Sequence, residues 1–368
     1  MTANDHGHIN NLDEMQMETL KHYWLALTNA ICSQSSLPVD QIANSVYGDE
    51  LFYMIGYENP DVLPLQWLRI CKWNINHAVQ KMMDMLKWRH EWGVQTLLAK
   101  GESDLPYEEI KTGKCFLMGY DKAGRPINYI SVNRHVRGQY PHETTQKLTV
   151  LTMETVRKLI ESPVETSTIV FDLTGFGLKN MDYQHVKFFI SLIENYYPEL
   201  FGHAIILNAP WIFYGCWAII SKWLDPAIRD EIQFIRNETE LAQCIDPSHL
   251  PRGLNGAQPD FEYIPPTTND EAMAAAFIAD AEGKTSARAD HQQAIQHFLN
   301  ITLQWARGDT NPNLLAERTM AVKRLRNTFE TLVPYINTRT HYHRIGAIKE
   351  QIFQITYDRL HASMATHS

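Results

Sequence analysis

The stretch NYYPELFGHAIILNAPWIFYGCWAIISKWLDPAIRDEIQFI, residues 195–235, decides the fold. Its run HAIILN (203–208) shows no alternation of polar and apolar residues, as in a strand covered on both faces. Pro210 suits a helix start, and Asp225-Pro226 suits a stop. Between them stand Trp211, Ile212, Phe213, Tyr214, Trp217, Ile219, Ile220, Trp223 and Leu224. The helix predicted over Trp211–Leu224 is roughly 20 Å long at about 1.5 Å per residue. It is apolar almost all round, so it is either fully buried or apolar on a second face for a reason. EIQFI (231–235) then reads as another strand.

Outward from this stretch the same texture repeats. Upstream lie a helix around Tyr183–Tyr196, the apolar run STIVFDL (167–173) and a helix over about His142–Glu161. Before them KCFLMGYD and PINYISV are two short strands joined by a hairpin turn at Lys122-Ala123-Gly124-Arg125. Apolar strands separated by helices predict an α/β fold: a mixed, mainly parallel five-stranded sheet between residues 114 and 236. The first hundred residues read as a helical bundle, with Asn74 capping the helix INHAVQKMMDMLKWRHEW. After the Pro/Gly-rich exit PRGLNGAQPDFEYIPP (251–266), further helices form a C-terminal extension. Three consecutive domains are expected: bundle 1–110, sheet domain 111–258 and helical extension 259–368.

Composition narrows the function. Hydrophobic residues make up 44% of the chain, enough for a core and an internal cavity besides. The net charge of −9 makes diffuse nucleic-acid binding a poor default. Five scattered cysteines without a CxxC pair argue against a disulfide framework and a zinc site. The most apolar window, 203–221, is broken by His203, Asn208 and Pro210, whereas a membrane span needs about 20 nearly unbroken apolar residues. A cytoplasmic protein with transient, peripheral membrane contact is expected. TGFG does not complete a dinucleotide fingerprint, Arg125-Pro126 stands where a P-loop needs Lys-Ser/Thr, and no GxSxG elbow occurs. No catalytic residue, metal or cofactor is therefore expected. HYH (341–343) reads as an exposed surface cluster.

LRICKWNINHAVQKMMDMLKWRHEWGV, GYDKAGRPINYI, TIVFDLTGF, NYYPELFGHAIILNAPWIF, WLDPAIRDEI and HLPRGLNG together resemble, in order and spacing, the CRAL-TRIO lipid-binding family. The resemblance is nearest to the fungal phosphatidylinositol/phosphatidylcholine transfer proteins, and LVPYINTRTHYHR (332–344) resembles the tail of a fungal subgroup. It implies a non-enzymatic protein that holds one lipid inside the α/β domain under a movable gate helix. It exchanges that lipid at membranes and presents it to lipid-modifying enzymes. Physics agrees with a closed site: about thirty acyl methylenes at roughly 0.8 kcal/mol each would cost on the order of 20 kcal/mol in water.

The gate helix implied is 211–224, with Trp211, Ile212, Phe213, Trp217, Ile220, Trp223 and Leu224 as its working residues. An acidic residue at Phe213 or Trp217 is expected to weaken vesicle binding and leave the fold intact. The cavity lining implied is Leu117, Ile127, Tyr129, Ile169, Phe171, Phe189, Ile193 and Ile206. For the headgroup the matching positions are Lys72, Glu199 and Ser167, with Arg229, two residues before the family's Lys position, as a partial replacement. The family's basic and hydroxyl positions are otherwise altered: Cys71 replaces Arg, Ile228 Thr, Glu231 Lys, and Leu117, Asn128 and Ile169 replace hydroxyl-bearing residues. Charge-assisted phosphate contacts are thereby lost, and a drier pocket for a sterol-, tocopherol- or squalene-like lipid is the alternative. A lipid-sensing scaffold docking a partner on 267–368 is a further one.

Overall fold

The structure, a computed structural model, describes residues 6–9, 11–160, 164–309 and 311–348. The chain forms two compact units. One combines residues up to 99 with 267–338; the other combines 100–266 with 339–348. The bundle and the C-terminal extension, expected as separate domains, thus share one unit.

In the helical unit α1 (Glu14–Ser35), α2 (Val46–Ile55), α3 (Val62–Ile70), α4 (Ile75–Trp92) and α5 (Val94–Lys100) come first. Local chemistry sets their limits. Asp13 and Gln16 form a capping box on α1, Asn74 caps α4 by accepting from His77 N at 3.0 Å, and Gly93 ends α4 at φ 84°.

The sheet unit continues with α6 (Tyr107–Lys111), β1 (Cys115–Tyr120), β2 (Pro126–Ser131), α7 (His142–Leu159), β3 (Ser167–Asp172) and α8 (Tyr183–Asn195). β4 (Phe201–Leu207), α9 (Trp211–Ile220), α10 (Pro226–Asp230), β5 (Ile232–Ile235) and α11 (Glu238–Cys244) complete its main run. The strand order is β1-β2-β3-β4-β5; β1 pairs antiparallel with β2 and the other pairs are parallel. In the β1–β2 turn Asp121 Oδ1 accepts from Ala123 N and Arg125 N, and Gly124 supplies the required φ of 80°.

The helical unit resumes with α12 (Thr268–Ala279), α13 (Ala281–Ala306) and α14 (Leu314–Ile336). Phe298 of α13 meets Trp24 and Phe52 edge-on at 5.6 and 6.1 Å. Arg318 of α14 clamps Asp61 through two bonds of 2.6 and 2.7 Å, and Trp24 Nε1 donates to the same carboxylate.

The chain then returns to the sheet unit as a strap containing α15 (His341–Arg344). Glu102 pairs with Arg344 and accepts from His341 N and Tyr263 OH, while Tyr342 OH accepts from Leu117 N of edge strand β1 at 2.9 Å. The surface placement expected for HYH is overturned for His341, which is 5% exposed. Its backbone N–H donates to Glu102, 239 residues earlier in the chain, and its ring Nδ1 accepts from Ile264 N.

Candidate lipid site

The pleat assigns alternate residues of each strand to two different layers. On one face Phe116, Ile127, Tyr129, Val170, Ile205, Leu207 and Ile235 pack with Leu241, Ile245 and Leu250 into a closed cluster. On the other face Ile206 joins Leu173, Phe176, Met181, Ile190 and the inner side of α9. Register carries the expected lining residues apart. Leu117, Ile169 and Phe171 share the α9 face with Ile206, whereas Ile127 and Tyr129 point into the opposite cluster. A single cavity cannot be lined from both faces of one sheet, so Ile127 and Tyr129 leave the candidate lining.

The α9 face is loosely covered. Phe171 and Ala204, on inner strands β3 and β4, are only half-buried, as are Ile232 and Phe234 of β5. On α8 Phe188, Phe189 and Ile193 are half-buried too, with Phe189 meeting Phe171 at 5.7 Å and Phe201 at 6.0 Å.

Helix α9 presents apolar groups in both directions. Phe213, Cys216 and Ile220 are buried, with Ile212, Trp217, Trp223 and Leu224 packed against the same cluster. Trp217 stands edge-on to Phe234 at 5.3 Å and Phe176 edge-on to Phe213 at 5.6 Å. Outward, Trp211 is 85% exposed, with Tyr214 and Ile219 also exposed. The helix is shorter than expected, ending at Ile220. Lys222 N and Trp223 N bond three residues back, and Asp225 N donates to Glu194 of α8, so the chain tightens and turns there. Trp223 is held edge-on to Tyr183 at 5.7 Å, with the Lys187 ammonium 4.7 Å from its ring.

Three of the four expected headgroup residues, Ser167, Glu199 and Arg229, lie in the sheet unit. Ser167 is fully buried, and both its N–H and its hydroxyl donate to Leu200 O, pinning β3 to the start of β4. Glu199 is half-buried at φ 48°, one residue before Leu200. Arg229 is exposed and donates to the neighbouring Asp230 at 3.0 Å. Lys72 belongs to the helical unit, exposed at φ 50° just after α3, beside buried Cys71.

Motif reasoning missed a polar cluster where α7 and α8 begin. Lys114 pairs with Glu109, and Thr145 donates to the same carboxylate at 2.9 Å. One turn on, Thr149 Oγ1 lies 3.2 Å from His185 Nε2. Asp182 caps α8 through His185 N and meets His135 Nε2 at 3.3 Å. Burial and the neighbouring His135 push the His185 pKa down to about 3, and burial also lowers that of His135. A signal for half of this cluster was present: Thr145, Thr149 and Thr152 recur at helical spacing and all are buried. Among the described residues no group of His, Cys, Asp and Glu is arranged to hold a metal, and no helix is long and apolar enough to cross a membrane.

A mixed five-stranded sheet flanked by helices, with an apolar helix over one face, defines the class of fold as α/β. Residues 110–256 match the CRAL/TRIO domain. A CRAL-TRIO domain-containing protein of Schizosaccharomyces pombe is 34% identical over 81% of this chain and 68% of its own length. The phosphatidylinositol transfer protein CSR1 of Eremothecium gossypii is 30% identical over 84% and 73%. The phosphatidylinositol transfer protein PDR17 of Saccharomyces cerevisiae is 27% identical over 54% and 58%. The crystal structure of Sfh5 shares the fold with a TM-score of 0.50 at 18% identity, covering 67% of this chain and 89% of that one. The chain belongs to the CRAL/TRIO family.

Proposed function

We propose that this protein carries one membrane lipid between the sheet and helices α7, α8 and α9, and exchanges it at bilayers by moving α9. The observation that carries this reading is the half-burial of Phe171 and Ala204 in the interior of the sheet, under helices, while the opposite face is closed. Protein interiors normally close up around such side chains; a hydrocarbon tail is the natural filler. The outward Trp211, Tyr214 and Ile219 suit the interfacial region of a bilayer. Binding alone suffices for this task, with no chemical step and no cofactor.

CSR1 and PDR17 are named for phosphatidylinositol transfer. Here the polar residues favour a less polar cargo: the Ser167 hydroxyl is committed to backbone, Arg229 faces Asp230, and Glu231 adds a further negative charge. Mass spectrometry of lipids extracted from the purified full chain tests the reading. One co-purifying lipid near one-to-one is expected, and protein free of lipid that also fails to move any lipid between vesicles would end it.

A further inference from the structure

The polar cluster at the start of α7 and α8 holds two buried acceptors that no donor reaches. Glu109 is fully buried; its Oε1 accepts from Lys114 and Thr145, but its Oε2 has no partner. Thr149 Oγ1 spends its proton on Thr145 O, so toward His185 it acts as acceptor. The His185 proton therefore sits on Nε2, an assignment made from the hydrogen-bond network. Nδ1 is then a lone-pair acceptor, buried and without partner. A buried acceptor left unmet loses the hydrogen bonds it would make in water. His185 stands 6.2 Å from Phe188, and Phe189 follows on the same helix toward Phe171. His185 thus adjoins Phe188, the neighbour of the Phe189 that meets Phe171, and Glu109 is linked to it through Thr145 and Thr149.

We infer that this cluster is the polar end of the lipid site and that it reads an uncharged hydroxyl, so the cargo is a neutral lipid alcohol rather than a phospholipid. The inference rests on the carrier reading above and deepens it. The chemistry selects among headgroups. A phosphate would meet the Glu109 and Asp182 carboxylates, while the cation at hand, Lys114, is already paired. A quaternary ammonium has no N–H and would leave both acceptors unmet. A hydroxyl donates without bringing charge into a buried place.

Uptake from vesicles by the delipidated full chain tests this, with four pyrene-labelled probes: diacylglycerol, its methyl ether, phosphatidylinositol and phosphatidylcholine. The alcohol should be taken up about tenfold or more better than the ether, and better than either phospholipid. His185→Phe should shrink the alcohol-to-ether ratio to within about twofold. Equal uptake of alcohol and ether by the unmodified protein, the result if water serves these acceptors, overturns the inference and needs no variant. Preference for a phospholipid also overturns it and leaves the carrier reading standing. Uptake of none of the four ends both.

Discussion

On one face of the sheet Ile127, Val170 and Ile205 have no solvent exposure at all. On the other, Phe171 and Ala204, carried by the same inner strands, remain half-buried under helices. Backbone, pairing and composition are shared, so the difference comes from what lies on top. The closed face is sealed by α11 and the chain through Leu250, whose side chains complete a continuous cluster. The other face is covered by helices that bury Ile169 and Ile206 but leave Phe171 and Ala204 half-buried. The first arrangement supports the fold; the second is the side on which we propose the lipid lies.

This contrast can be broken most sharply by truncation. Ile205→Ala on the closed face should cost about 3 kcal/mol in urea unfolding, the usual result of a buried cavity. Phe171→Ala removes more atoms, yet should cost only about 1 kcal/mol in lipid-free protein, because little packing is lost. Equal costs at the two sites would mean that both faces are solid.

Acid sharpens the comparison next. The fold keeps His185 neutral down to about pH 3 and lowers the pKa of His135, and it holds His291 and His341 near 4, burial being the main cause in each. In the unfolded chain each takes a proton near pH 6.5. Their stabilisation is therefore complete above that pH and fades as the pH falls, by about 1 kcal/mol at pH 5.5 for each of His185, His291 and His341. His185→Phe should flatten the fall measured by thermal unfolding across pH 7 to 5.

The smallest effect on stability belongs to the outer side of α9. Trp211→Ala should change unfolding by less than about 0.5 kcal/mol, since the ring is exposed, yet reduce vesicle association severalfold. Trp211 serves this purpose better than Phe213, whose burial makes an acidic replacement there a folding mutation.

The sheet, its five strands and the position of α9 were legible because continuous apolar runs between long helices admit few other arrangements. Facing was not. An unbroken apolar strand gives no alternation, so only register reveals that Ile127 and Phe171 look opposite ways. The headgroup positions illustrate a second limit. Ser167 matches the family pattern, but its hydroxyl is taken by the Leu200 carbonyl, a partner without a side-chain signature. The His185 cluster escaped notice because its members come from four separate segments.

The strap has a consequence for synthesis. Leu117 N, on the outer edge of β1, finds its acceptor only in Tyr342, 225 residues later. A nascent chain that has emerged through Pro266 has made every strand of the sheet and still lacks that closing group. Until the ribosome has delivered residues 339–348, the border of β1 is exposed to pairing with a neighbouring polypeptide. Chains ending at 338, which keep the helical unit whole, are therefore expected to precipitate, whereas supplying the strap as a separate peptide should keep them in solution.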